Sequence, residues 1–359
     1  MNFLSQFSDL LPVLPPFELV LAERDEPSNT VHLYLEVPPE ATPKKCSIHS
    51  YYDRTWEHLK LFQYRCFIHC KLPIYKDRDT GKLSKAEVSF SRDYSRFTLM
   101  FGQEVMRLMH IHHCFTAVAR TLGIRVQRVE HIYHHYTQHL EDDYYSQHTA
   151  SRIAYDETST RKGHEYITSF FDLDTWQLPG SYEGRSSECV ARFKQDHPYP
   201  EAVEEISIDM SPAFIKGAKQ CFPQAKVTFD KWHVIKLLYK HLDRLGEKAY
   251  CFQAQIELSM ERIGTFYRQD QFQELKAQLC FIMDLAQETM ETNPITKSIK
   301  SHFDGIVQYA QSKINNGILE GLNSKIQIIK RVARGFRSKD NFIKMIYFVF
   351  AKYQFQVNS

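Results

Sequence analysis

Three segments of this chain run through alternating apolar residues to an aspartate: RIAYD to Asp156, EISID to Asp209 and KVTFD to Asp230. Each has a small or hydroxylated residue two places earlier (Ala154, Ser207 and Thr228), on the same strand face as the acid. Acids at the carboxyl ends of buried strands stand where open α/β sheets place their ligands. One such residue alone is as readily a helix N-cap or a turn former. Clustered carboxylates repel one another, so a site built from them needs divalent cations to stay ionised. Two ions held ~3.5–4 Å apart can activate a nucleophile and stabilise the leaving oxygen of an in-line phosphoryl transfer. That chemistry needs a further carboxylate, and Glu320 is the candidate. It lies in NNGILEGLNSKIQIIKRVARGF, where Leu319, Leu322, Ile326 and Ile329 make a helical apolar stripe. Glu320, Asn323 and Gln327 fall on the adjacent polar face, a pattern that a solvated helix glutamate would share.

The elements that must position these acids follow in an informative order. Arg152–Asp156, Tyr166–Asp172 and Trp176–Tyr182 read as three strands with tight connections. A helix (Ser187–Gln195), a strand (Glu205–Asp209), a second helix (Pro212–Cys221) and a strand (Lys226–Asp230) come next. Three hairpin-linked strands followed by β-α-β predict an α/β fold with a mixed, RNase H-like sheet. From 233 the pattern is helical to the end, with a break near Gly335. Upstream, residues 1–45 read as a loose lead-in with one short strand at Thr30–Val37, and 46–93 as short β-segments with a turn at DRDTGK. Residues 94–145 are helical by pattern.

FTAVARTLGIRVQRVEHIYHHY has the cadence of a helix-turn-helix: Phe115–Leu122, a turn at Gly123, then Val126–Tyr136. Arg125, Gln127, Arg128 and His131 would face a major groove. A second basic feature follows Glu320: Lys325, Lys330, Arg331, Arg334, Arg337 and Lys339, in a run without acids. Beside an acidic site such side chains would neutralise DNA phosphates. Away from one, the same run would be a solvated face.

The totals bound these readings. The net charge of the 359 residues is only +2, so any nucleic-acid argument rests on where the charge sits. Eight cysteines without a regular framework read as reduced thiols of a cytosolic protein. The N-terminal segment has three prolines and no basic n-region, and no apolar run approaches a membrane span. A soluble, cytoplasmic protein with no membrane partner is the expectation.

The motifs YDETSTRKGHEYIT, ISIDMSPAFIKGAKQCFPQAKVTFDKWHVIK and NGILEGLNSKIQIIKRVARGFRSKDNF resemble the DDE-type insertion-sequence transposases of bacteria, most closely the ISL3 group. The likeness runs from about residue 40 to 350. It implies metal-dependent cleavage and strand transfer at element ends, with two Mg²⁺ or Mn²⁺ ions on Asp156, the second acid and Glu320. It also implies an RNase H-like catalytic domain over 146–359 with a helical insertion at about 234–310, and a helix-turn-helix unit over 94–145. Asp230 and His233 resemble the family's acid-x-x-His element, a supporting feature, and Asn323 belongs to the LEGLN motif. In such a sheet the fourth strand adjoins the first, which favours Asp209 as the second acid; a slip in strand assignment would give that role to Asp230. The partner is double-stranded DNA, at element ends and target, and synapsis of two ends implies a homodimer or higher assembly. The family's zinc ribbon has only a degraded counterpart in 46–93. Cys46 and His49 form one weak pair, Cys66, His69 and Cys70 another, and YKDRDTGK occupies the place of the second knuckle, so no structural zinc is expected. Two other readings compete: a non-catalytic DNA-binding protein descended from a transposase, and a nuclease of the same fold that cleaves without joining.

Overall fold

Along one strand the side chains of Cys66, Ile68, Cys70 and Leu72 are buried in strict alternation, which marks a sheet covered on one face. That strand belongs to the first of two compact units, split between His135 and Tyr136. The computed structural model describes residues 15–138, 149–160, 165–229, 233, 236, 258–259, 261–263, 265, 272–289, 294–312, 317–333, 336 and 338–350.

In the first unit, β1 (Glu18–Asp25), β2 (Thr30–Glu36), β3 (Cys46–Leu61), β4 (Tyr64–Asp77) and β5 (Leu83–Lys85) form one sheet. Its order is β1-β2-β4-β3, with β5 on the end of β4. The segment expected to be a lead-in with one strand therefore contributes two strands, and β2 pairs in parallel with β4. The expected short β-segments are instead strands of 16 and 14 residues. Their antiparallel register runs from Cys46 opposite Asp77 to Leu61 opposite Tyr64. Cys46 and Cys70 are thereby separated by eight residues along β3, about 25 Å. One tetrahedral ion cannot span that distance. Burial pushes the Cys66 and Cys70 thiols up to about 12. His69 is hydrogen-bonded to His32 (2.8 Å) and Thr55 (3.0 Å).

Three helices complete this unit: α1 (Leu99–His112), α2 (Phe115–Leu122) and α3 (Val126–Thr137). Thr98 caps α1 through its side chain. The turn between α2 and α3 needs a left-handed residue, and Gly123 supplies it with φ 73°. Val118, Ala119, Leu122, Val129, Ile132 and Tyr133 form the buried seam. Helix α2 has the bounds read from the sequence, and α3 ends one residue later than the expected Tyr136.

The second unit is built on β6 (Arg152–Ser159), β7 (Tyr166–Asp172), β8 (Gly180–Glu183), β9 (Glu205–Ile208) and β10 (Lys226–Phe229), in the order β10-β9-β6-β7-β8. Pairing is antiparallel among β6, β7 and β8 and parallel among β6, β9 and β10. The third strand starts later than expected, because Asp172 accepts hydrogen bonds from the Asp174 and Thr175 amides and holds 172–176 in a turn. The first strand runs on to Ser159, held by its pairing with β7.

Helices α4 (Ser187–Asp196) and α5 (Pro212–Cys221) connect the parallel strands. They approach closely at Gly217, where a Cβ would lie 2.7 Å from a Val190 methyl. Phe193 of α4 stacks on Phe170 at 4.2 Å, and the Tyr155 hydroxyl donates to the Phe214 carbonyl. Helices α6 (Phe272–Thr289) and α7 (Pro294–Ser312) add Leu275, Leu279, Ile282, Ile299 and Ile306 to the same core. Helix α8 (Gly317–Val332) lies along β6. Helix α9 (Lys339–Phe350) is buried, and its Tyr347 hydroxyl accepts from the Ser181 amide at 2.6 Å. No helix among the described residues is long and apolar enough to cross a membrane.

Candidate active site

The last β6–β9 pair is Ala154 opposite Ser207. Two residues further, on the same face, stand Asp156 and Asp209. Adjacent strands are ~4.8 Å apart, so continuing the register makes the two acids neighbours. Asp156 is not the end of its strand; it lies just past the last residue that β9 pairs with, where β7 alone continues along β6. Strand β10 lies one position further out, beyond β9. Asp230 itself is outside the described residues.

The carboxylates are held by short bonds. Asp156 Oδ1 accepts from the Glu157 amide (2.8 Å) and Oδ2 from Asn323 Nδ2 (2.6 Å). Asp209 Oδ1 accepts from the Ser211 amide at 2.9 Å, at the entrance to α5. Glu157, which the sequence reading passed over, shares this environment. Burial raises its carboxyl above the usual range, the charges of Asp209 and Asp156 raise it further, and Arg185 and His233 oppose that rise. His233 is thus within electrostatic reach of Glu157. Its position next to Asp156 in YDE was the available signal, and strand alternation argued against it.

Asn323 fixes where α8 lies. Seven residues on, Lys330 Nζ donates to the Ser159 carbonyl. Seven helical residues rise ~10.5 Å and three strand residues ~10 Å, so α8 and β6 keep pace side by side. Glu320 lies one turn before Asn323 in α8. Positions three apart neighbour each other on a helix surface, ~5–6 Å between Cβ atoms. Its backbone position therefore adjoins the Asp156 contact.

The basic run is divided by its contacts. Lys330 is bonded to β6, Lys339 to Glu183, and the Lys325 ammonium sits over the Phe350 ring at 4.8 Å. Burial holds the Lys325 ammonium below its usual range. Arg331 is exposed, and Arg334 and Arg337 lie outside the described residues.

Asp156 and Asp209 supply hard oxygen donors, the chemistry that Mg²⁺ or Mn²⁺ prefers and that thiolate-bound zinc does not. Asn323 Oδ1 is buried beside them without a hydrogen-bond partner, an oxygen that a cation could satisfy. The donors present therefore fit such ions. Among the described residues no three His, Cys, Asp or Glu side chains already form a metal-holding group.

In the first unit, Arg125, Gln127 and Arg128 are exposed on or just before α3. Arg128 is also tied to the sheet: its Nη1 donates to Glu57 Oε2 at 2.9 Å, and Arg65 donates to Glu57 Oε1 at 2.7 Å.

Comparison with known families agrees with this division. Residues 153–250 and 247–346 match the ISL3 DDE family model described as a transposase. Residues 86–137 match the helix-turn-helix domain of transposase family ISL3. A transposase for insertion sequence element IS1001 from Bordetella parapertussis is 22% identical over 382 residues, covering 90% of this chain and 92% of that protein. These likenesses define a class of enzymes that cut and transfer DNA. The chain belongs to the ISL3 family of transposases.

Proposed function

We propose that the chain is an insertion-element transposase that cleaves and joins DNA at a divalent-metal site on an RNase H-like sheet, with Asp156, Asp209 and Glu320 as its acids. The observation that carries this reading is the Asn323–Asp156 hydrogen bond, which brings the glutamate helix to the strand bearing the first acid. The sheet order β8-β7-β6-β9-β10, antiparallel and then parallel, supports the RNase H-like assignment, and it supports Asp209 over Asp230 as the second acid.

Asp156, Asp209 and Glu320 would hold the metal, two Mg²⁺ or Mn²⁺ ions in the full site, with Asn323 Oδ1 as a further oxygen. When bound, the ions supply activation of the attacking oxygen and stabilisation of the leaving one. The chain's own part is placement and charge. Asn323 keeps Asp156 Oδ2 in one orientation, and the Glu157 amide keeps Oδ1. Asp230 and His233 take a supporting role beside the site, and His233 and Arg185 offset the accumulated negative charge at Glu157. Arg331, Arg334 and Arg337 contact the DNA backbone after α8, with Lys325 and Lys330 exchanging their present contacts for phosphates. Arg125, Gln127 and Arg128 contact the element end. The protein works in the cytoplasm as a dimer or higher assembly on two ends.

The test uses a supercoiled plasmid carrying the element with its flanks, the full chain, and Mg²⁺ or Mn²⁺. Metal-dependent nicking at the ends and strand-transfer products are expected for the wild type. In Glu320→Gln both should vanish while end binding persists. End binding without cleavage by folded wild type would overturn the catalytic reading, and cleavage without joined products would make the chain a nuclease.

A further inference from the structure

The face of α3 expected to read a major groove does not stand alone. Gln127, Arg128 and His131 form one wall of a cleft of about 610 Å³, and the loop Arg92–Phe97 forms the other. Cavities of ~300–1,000 Å³ suit a small molecule or a single nucleotide, not a duplex about 20 Å across.

The loop is braced rigidly. The Ser95 amide donates to the Arg92 carbonyl, Glu57 and Arg96 are joined through their backbones, and Arg54 donates to the Ser95 carbonyl at 2.7 Å. Ser91 and Ser95 hydroxyls both donate to the Phe97 carbonyl. At the tip of this braced turn Tyr94 has φ 58° and is 87% exposed. A tyrosine in the left-handed region costs on the order of 1 kcal/mol, and its ring in water gains nothing for the fold. Glycine or asparagine is the residue such a turn favours.

The chemistry around that ring is complementary to a nucleotide. Arg92, Arg96 and Arg128 line the cleft with two histidines, against one acid, Asp93. Glu57 neutralises part of Arg128, which leaves Arg96 as an exposed cation beside Tyr94. A closed duplex presents phosphates but keeps its base faces stacked inside. An unpaired nucleotide presents an anion and a free π-face together, and exposed aromatics and guanidinium planes bind such bases.

We propose that this cleft is a site for an unpaired nucleotide of the DNA substrate, its base stacked on Tyr94 and its phosphate held by Arg96. The inference rests on the reading of the chain as a DNA-processing enzyme and adds single-stranded character to what it recognises. No covalent step is involved.

The test is binding by the full chain of three probes: an element-end duplex with blunt ends, the same duplex with a short single-stranded tail, and a free deoxynucleoside monophosphate. The tailed duplex should bind about tenfold or more tightly than the blunt one. Tyr94→Asn, which suits the left-handed turn, and Arg96→Ala should each remove that advantage and leave blunt-duplex binding unchanged. Tyr94→Asn should also leave the melting temperature unchanged or raise it. Equal affinity of wild type for tailed and blunt duplexes would overturn the site. So would an advantage that survives Tyr94→Asn. Tight binding of the free monophosphate, unaccompanied by any tail preference, would mean a mononucleotide pocket instead and overturn the DNA assignment. Failure to bind any DNA would overturn the transposase reading itself, a distinct result.

Discussion

Asn323 Nδ2 donates to Asp156 Oδ2 at 2.6 Å across 167 residues of sequence. This contact joins the helix that bears Glu320 to the central strand of the sheet, and the oxygen of the same amide, Oδ1, has no hydrogen-bond partner. Residues that orient a metal-ligating carboxylate typically change metal affinity or activity by ~10–100-fold when removed. Asn323→Leu is therefore expected to weaken Mn²⁺ binding to the DNA-free protein by about tenfold or more, read by calorimetry. Asn323→Asp should retain binding. An unchanged Mn²⁺ isotherm for Asn323→Leu would show that the amide only braces the helix.

Glu157 is half-buried, and its carboxyl is raised by burial first and then by the charges of Asp209 and Asp156. A carboxyl raised on folding gives stability that is full at low pH and is lost as pH rises through its folded value. At neutral pH without metal, Glu157→Gln should raise the melting temperature of the second unit, on the order of 2 °C. Added Mg²⁺ should shrink the difference by supplying the missing positive charge. A lower melting temperature for the variant would contradict this electrostatic account.

His58 sits at 5% exposure in the first unit with its Nδ1 on the Thr98 hydroxyl (2.9 Å), and burial lowers it from 6.5 to about 4. A histidine held neutral in the fold must charge on unfolding, so stability is present above pH 6.5 and lost as pH falls from there toward 4. The loss is on the order of 3 kcal/mol across that window. Denaturant titrations from pH 7 to 4 should show it, and His58→Gln should flatten the profile.

Glu57 is buried between Arg65 and Arg128, and both arginines keep substantial exposure (37% and 48% of their side chains). Because solvent screens the two cations, Glu57→Ala should cost about 2 kcal/mol, less than a fully buried pair would. The same change frees Arg128 from the sheet, so blunt-duplex affinity should rise several-fold at low salt and fall back at high salt. Fluorescence anisotropy over a salt series reads both effects. An unaltered salt slope would mean that Arg128 does not meet phosphates.

Periodicity and punctuation determined much of this protein by themselves. The alternation ending at Asp156 and Asp209, the Pro212–Cys221 helix and the glycine turn between α2 and α3 are local properties, legible because side-chain periods and φ preferences act over a few residues. The order of strands also carried the neighbour relation of β6 and β9, since topology rules prune the alternatives. Tertiary structure decided the rest. Residues 18–25 looked like part of a lead-in because the apolar residues of β1, Leu19–Ala22, run together without alternation; pairing with β2, itself paired with β4, makes them sheet. Strand alternation sent Glu157 away from the acids, yet their charges reach it. Lys330 and Arg128 read as free cations until the partners brought to them, Ser159 and Glu57, came into view. Register and hydrogen-bond partnership depend on segments far apart in sequence, and no local pattern encodes which of them will meet.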